Sequence, residues 1–268
     1  MLKIILNRLK PQVEKIIAEG FRADRSTTEQ IFNLRILCEK YLQHLQDLYY
    51  VFIDLKKAFD RVWYVRLWAT MKKYNISTDL TRTIKHLHNK ATSAVLFNGS
   101  TGDWIQTTIG VQQGGLLSLT LSNVFLERIT LEDQSRTITN LRFADDIDGL
   151  AGEEEELAKL VERLDKASTA YGMKISAEKT TLMTNITSGI NKDIKVNGPR
   201  LETVTSFKYQ GSFVSDEGSK PEILSRIAQT TSALTKLKPV WTDRGICPSS
   251  KARLMRSLAK SVFLYVCE

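Results

Sequence analysis

No stretch of this 268-residue chain approaches the roughly 18 consecutive apolar residues of a membrane-spanning helix, and the apolar part of residues 1–10 is too short for a secretory signal. The expectation is an intracellular protein with no membrane partner. The three cysteines, Cys38, Cys247 and Cys267, are odd in number and lack a CxxC spacing, so neither a disulfide framework nor a zinc knuckle is indicated. With only three histidines, His-based metal or triad chemistry has little material to work with. The remaining composition, 42% hydrophobic and 25% charged, suits one large domain or one domain with an appended lobe.

The net charge is +8, and its distribution says more than its sum. Residues 219–268 hold nine Lys or Arg against three acids, so +6 of the +8 falls in the last fifth of the chain. Positive charge gathered on helices is the footprint of a polyanion-binding surface, although a solvated helix face is the commoner cause of a single charge run.

Hydrophobic spacing predicts amphipathic helices over residues 26–46, 58–74, 78–89, 116–131 and 153–171, with two more opening near Pro221 and near Ser249. Ser26 followed by Glu29 fits a capping box. Residues 93–97 and 101–108 read as strands about an Asn98-Gly99 turn. Residues 173–213 read as short strands and turns, broken at Asn197-Gly198-Pro199.

Two acidic features stand out. Leu48-Tyr49-Tyr50-Val51-Phe52-Ile53 reads as a buried strand that ends abruptly at Asp54, where a carboxylate points into the crevice beside a sheet; the plainer reading is a helix cap at Asp54 or Asp60. Downstream, a short strand over residues 139–143 and a return strand from Ile147 flank Asp145-Asp146 at a hairpin tip. Adjacent carboxylates repel unless a cation or strong donors lie between them, so the pair points to a divalent metal, against the common solvated turn. If these elements neighbour each other in one sheet, three carboxylates converge on a pair of Mg²⁺ ions, the arrangement of a phosphoryl-transfer site.

Taken in order, these segments resemble the reverse transcriptase domain of non-long-terminal-repeat (LINE-type) retrotransposons over nearly the whole chain. Phe52-Ile53-Asp54-Leu55-Lys56-Lys57-Ala58-Phe59-Asp60 is similar to the first catalytic motif, and Phe143-Ala144-Asp145-Asp146 to the acidic hairpin. Gly20-Phe21-Arg22 and Arg25-Ser26-Thr27 resemble part of the fingers, and Gly110-Val111-Gln112-Gln113-Gly114 the nucleotide-proximal loop. Tyr171-Gly172-Met173-Lys174 with Glu178-Lys179-Thr180 resembles the motif after the hairpin, and Phe207-Lys208-Tyr209 with Gly211-Ser212 the primer grip.

The resemblance implies an α+β right-hand polymerase: a palm of antiparallel sheet backed by helices, with partial fingers and a helical thumb. Fingers are expected over residues 1–47, palm over 48–217 and a truncated basic thumb over 218–268. It implies RNA-directed DNA polymerase activity, with Asp54, Asp145 and Asp146 as metal ligands for two Mg²⁺ ions, or Mn²⁺ as a substitute. Asp54 and Asp145 are the principal ligands, Asp146 completes the acidic cluster, and the Leu55 carbonyl joins that set. Phe59 matches the steric gate against a ribose 2′-hydroxyl, with core packing as its alternative. Gln113 is placed by the incoming nucleotide and Lys179 by the pyrophosphate, where an exposed lysine otherwise only solvates the surface. The implied partners are an RNA template, a DNA primer and deoxynucleoside triphosphates, in a ribonucleoprotein of the nucleus or cytoplasm. Binding of the hybrid by the thumb is expected to be insensitive to sequence and sensitive to salt.

The chain departs from the family pattern in several places. Leu116 and Leu119 stand where the family has prolines, which loosens the expected loop, and Gln210 replaces an apolar residue. Asp148-Gly149 interrupts the apolar return strand. The fingers begin just before Gly20, without the upstream basic elements, the endonuclease or a zinc-bearing tail, so an N-terminally truncated copy is expected. A catalytically weak or inactive nucleic-acid-binding relic is the alternative to a polymerase, and a two-metal nuclease is a third reading.

Overall fold

The computed structural model describes residues 1–17, 26–44, 46–131, 139–143, 146–186, 193–196, 198–215 and 219–265. The chain divides into two compact units. One contains Met1–Arg25, Tyr49–Leu182 and Ile190–Glu202; the other contains Ser26–Leu48, Met183–Gly189 and Thr203–Glu268. The expected Gly20-Phe21-Arg22 segment and Arg25 lie outside the described residues.

In chain order the elements are α1 (Leu2–Val13), α2 (Thr27–Gln43), β1 (Tyr49–Asp54), α3 (Tyr64–Lys73), α4 (Thr78–Asn89), β2 (Thr92–Ser93), β3 (Leu96–Phe97), β4 (Ser100–Thr101) and β5 (Ile105–Gln106). There follow α5 (Ser118–Leu131), β6 (Thr139–Phe143), β7 (Asp146–Ala151), α6 (Glu154–Ala170), β8 (Thr181–Thr184), β9 (Glu202–Thr203), β10 (Ser206–Tyr209) and β11 (Ser212–Ser215). The C-terminal helices are α7 (Lys220–Lys236), α8 (Lys238–Thr242), α9 (Pro248–Leu254) and α10 (Ser261–Phe263), the last two joined by a π-helical turn at Met255–Lys260. The expected helix near Ser249 is thus a helix interrupted by a π turn.

The central sheet has the strand order β6-β7-β1-β8-β9, and β7 runs antiparallel to both β1 and β6. Val51 and Ile53 on β1, with Ile147 and Ala151 on β7, belong to a core shared with Leu157, Leu160 and Leu164 of α6. On the opposite face Tyr50 and Phe52 are also buried, their rings stacked 6.4 Å apart. Burial on both faces is why β1 reads as an unbroken apolar run instead of alternating. Helices α1, α3, α4 and α5 add Ile5, Leu9, Leu67, Met71, Ile84, Leu121 and Phe125 to this core. The architecture is a mixed α/β fold, a central sheet flanked by helices, consistent with the expected polymerase palm and thumb.

Asp148-Gly149 does not break β7, whose pairing with β1 continues through Phe52 opposite Asp148 and Val51 opposite Gly149. A Cβ at Gly149 would lie 2.2 Å from Leu160 Cδ2 and 2.9 Å from Val51 Cγ1, so the missing side chain is what lets α6 seat on the sheet. Gly149→Ala is expected to destabilise the protein by about 1–3 kcal/mol through overpacking. The shift of the urea midpoint measures it, and unchanged stability would show that Leu160 has room to move.

The expected helix over residues 58–74 is interrupted. A single 3-10 turn at Phe59–Arg61 gives way to extended Val62, and α3 starts only at Tyr64. The cause is tertiary: the Val62 carbonyl accepts the Gly110 N–H at 2.9 Å and Trp63 bridges Ile109, so the backbone opens to pair with a distant segment. Neither helix start carries a side-chain cap bond, so Asp60 is not a cap. The ribbon about Asn98-Gly99 forms as expected, both turn residues having positive φ, +48° and +80°. It is split, however: two residues separate β2 from β3 and three separate β4 from β5, a one-residue bulge.

In the second unit the Ser26 hydroxyl accepts the Glu29 N–H at 3.2 Å, the expected cap of α2. Strands β10 and β11 pair from Ser206 opposite Ser215 to Tyr209 opposite Ser212. No helix among the described residues is long and apolar enough to cross a membrane. Cys247 is an exposed free thiol.

Candidate active site

Asp54 closes β1, and its cross-strand partner on β7 is Asp146. Residues directly opposite on an antiparallel pair project from the same face of the sheet, so the two carboxylates stand together. The Asp54 side chain is 32% exposed, which leaves room for a ligand while one side is desolvated. Phe143 of β6 pairs with Asp146 of β7. Asp145 itself lies outside the described residues. Among the described residues no group of three His, Cys, Asp or Glu side chains gathers as a metal set.

Backbone bonds fix the end of β1. The Asp54 N–H donates to Thr180 Oγ1 at 3.3 Å, and the Asp54 carbonyl accepts the Ser176 N–H at 2.8 Å. The Lys56 N–H donates to the Lys174 carbonyl at 2.8 Å, and Leu55 bridges Ile175 between them. In such a bridge the flanking residues make the hydrogen bonds, so the Leu55 carbonyl is directed away from Ile175. Lys179 Nζ lies 3.6 Å from Asp54 Oδ1, although the lysine side chain is 70% exposed, so this contact is a weak surface pair.

The expected motif after the hairpin is therefore joined to the expected first motif along residues 54–56 and 174–180. Arg61 adds a bond from Nη1 to the Gly172 carbonyl at 3.4 Å. The Arg66 guanidinium lies 5.7 Å from the Trp63 ring and 5.5 Å from the Tyr171 ring, a cation–π contact on both.

Phe59 is half-buried and packs against the core, as the packing reading has it. Its carbonyl accepts the Val111 N–H at 2.8 Å, tying this turn to the loop that carries Gln113. Gly110 has φ +87°, and a Cβ there would sit 2.9 Å from the Asp60 carbonyl oxygen, so glycine is required on both counts. The Tyr64 hydroxyl donates to the Gly110 carbonyl at 2.7 Å, and burial pushes this phenol above its ordinary pKa, keeping the donor protonated. Gln113 is exposed and sits in a four-residue turn closed by the Gly115 N–H on the Gln112 carbonyl at 3.0 Å. Gly114 takes the third position at φ +79°, as a type II turn demands.

At Leu116 and Leu119, where prolines were expected, hydrogen bonds close the loop instead. The Ser118 N–H donates to the Gly115 carbonyl at 3.1 Å, and Leu119 lies in the first turn of α5, where its N–H has no intrahelical acceptor to lose.

The structure thus brings together Asp54, Asp146, Leu55 and Lys179, and links Phe59 through the backbone to the Gln113 loop. Thr180 lies in the motif Glu178-Lys179-Thr180, whose resemblance assigns it no role, while no local pattern marks Tyr64, whose partner is 46 residues away.

Residues 1–214 match the family described as Reverse transcriptase (RNA-dependent DNA polymerase). The chain is 24% identical over 197 residues to the Retrovirus-related Pol polyprotein from type-1 retrotransposable element R2 of Nasonia vitripennis, covering 70% of this chain and 19% of that protein. It is 27% identical over 228 residues to the RNA-directed DNA polymerase from mobile element jockey of Drosophila melanogaster, covering 79% of this chain and 25% of the relative. The chain therefore spans a quarter or less of the length of these relatives. Among solved structures, apo telomerase from Candida tropicalis aligns with a TM-score of 0.60 at 14% identity, over 81% of this chain and 40% of that one. A C-terminally truncated form of the same enzyme gives 0.58 at 16% identity, over 80% and 44%. At such identities these structures speak for the fold alone. With the family matched over most of the chain and the fold shared, the protein belongs to the reverse transcriptase (RNA-dependent DNA polymerase) family and is related to the polymerases of R2- and jockey-type elements.

Proposed function

We propose that this chain is an RNA-directed DNA polymerase, adding deoxynucleotides to a DNA primer 3′-hydroxyl on an RNA template. The observation that carries the reading is the pairing of Asp54 with Asp146 on one face of the sheet, in a chain of this family. Paired carboxylates suit Mg²⁺, which prefers hard oxygen ligands and keeps positions for substrate oxygens. Asp54, Asp145 and Asp146, with the Leu55 carbonyl, would hold the two ions, and Mn²⁺ fits the same donors. When bound, the ions supply activation of the hydroxyl and charge stabilisation of the pyrophosphate.

The chain's own residues then orient and select. The Thr180 hydroxyl and the Ser176 N–H fix the end of β1, and so the Asp54 carboxylate. Phe59 stands five residues beyond Asp54 as the barrier to a 2′-hydroxyl, and Gln113 lies at the exposed turn that meets the nucleotide. Lys179, 70% exposed and only weakly paired with Asp54, is the donor of a proton to departing pyrophosphate.

The test is primer extension on an RNA template with Mg²⁺. Deoxynucleotide incorporation that stops on chelation is the expected result. Tight binding of the hybrid with no incorporation selects the nucleic-acid-binding relic, and degradation of the duplex without incorporation selects a nuclease.

A further inference from the structure

The β10–β11 turn is built in an unusual way. Gln210 and Gly211 both have positive φ, +47° and +83°, as a two-residue type I′ turn requires. Glutamine is a poor occupant of the first position, where Asn, Asp or Gly is preferred, so the turn carries strain that its surroundings must offset.

Those surroundings are specific. Arg226, on α7, donates from Nη2 to the Gly211 carbonyl. The Tyr265 hydroxyl donates to the Gln210 carbonyl at 2.7 Å and lies 3.1 Å from the Thr27 hydroxyl. Both carbonyls of the strained turn are therefore gripped by side chains from the C-terminal helical segment. The grip is itself held: Arg226 Nε donates to Glu222 Oε1 at 2.6 Å, and the Arg226 guanidinium lies 4.8 Å from the Tyr265 ring. Glu222 Oε2 accepts the N–H of Phe213, two residues past the turn, at 2.6 Å. On the far side of the turn Arg35 Nη2 donates to Ser212 Oγ at 3.0 Å. Glu222 and Arg226 are buried, with side-chain exposures of 6% and 10%. A desolvated ion pair is a costly way to hold a turn if only stability is wanted, because apolar packing does that at least as well. Its directional bonds give a fixed geometry instead.

We propose that Glu222, Arg226 and Tyr265 are positioning residues that lock the Gln210-Gly211 turn for contact with a primer–template duplex, making the hairpin and the basic helix α7 one rigid binding element. This rests on the polymerase reading above, since it takes the turn as a point of contact with the primer. The same unit holds exposed Lys208 on β10, next to Tyr209 and the turn, together with Lys220 and Lys236 on α7. These cations complement a phosphate backbone.

Tyr265→Phe isolates the idea. It removes the hydroxyl's bonds to the Gln210 carbonyl and to the Thr27 hydroxyl while keeping the ring beneath Arg226, so the fold is expected to persist. Two readings are taken: fluorescence anisotropy with a labelled DNA primer annealed to RNA, and steady-state extension. We expect hybrid affinity to fall about three- to tenfold, as for the loss of the bond that holds the turn, with KM for primer–template rising equally and KM for the deoxynucleotide unchanged. A purely structural role would move both KM values, or neither. Hybrid affinity equal to wild type overturns the proposal, as does a rise confined to the nucleotide KM. Wild-type protein that binds the hybrid without extending it defeats the polymerase reading, while the anisotropy comparison still decides the role of the turn.

Discussion

Asp54→Asn is expected to abolish nucleotide incorporation. The substitution keeps the size of the side chain and leaves the backbone bonds to Thr180 and Ser176 intact, but it removes a negative charge facing Asp146. On the proposed reading, loss of a carboxylate that would hold the metal takes away several kcal/mol of transition-state stabilisation, and about 4 kcal/mol is roughly a thousandfold in rate. Folding should hardly change, since the side chain is 32% exposed and loses a like-charged neighbour. The pair of measurements is therefore single-nucleotide extension and thermal unfolding, with a collapse in the first and little change in the second. Asp145→Asn should behave likewise. Equal incorporation by wild type and either variant would falsify the assignment of this metal site.

Arg226→Met carries the largest expected loss of stability. Removing one partner of a buried pair strands the other charge, so Glu222 is left desolvated in the first turn of α7 and the Gly211 carbonyl loses its donor. A cost of about 3–5 kcal/mol follows, a large share of the stability of a typical domain. Adding Glu222→Gln should recover part of that loss, because the amide still accepts the Phe213 N–H and no longer buries a charge. Urea unfolding of both single variants and the double variant measures the coupling. If the double variant loses as much as the two single losses combined, the pair is not acting as a unit.

The arrangement also bears on what the sequence could reveal. Local chemistry was legible. The apolar run ending at Asp54, the capping serine before α2, the Asn98-Gly99 turn and the amphipathic stripe of α6 each form much as their spacing demands, because all their determinants lie within a few residues. Family resemblance extended this by supplying an order of motifs that no single motif carries. The breaks came where distant backbone intervened. Val62 and Trp63 leave a helical pattern to pair with Ile109 and Gly110, and Gly149 is a defect in β7 only until Leu160 of α6 is seen packed against it.

Taken alone, the sequence determined the element types, the concentration of positive charge in the last fifth of the chain and the acidic residues on which the proposed site rests. These follow from residue type and short-range periodicity. Tertiary structure decided that Asp54 faces Asp146, that Thr180 and Ser176 hold the end of β1, and that the strained Gln210-Gly211 turn is gripped by Arg226 and Tyr265. Strand register and buried polar pairing are set by which distant groups find each other when the chain closes, and Tyr265 meets Gln210 across 55 residues with no mark in either neighbourhood to announce it.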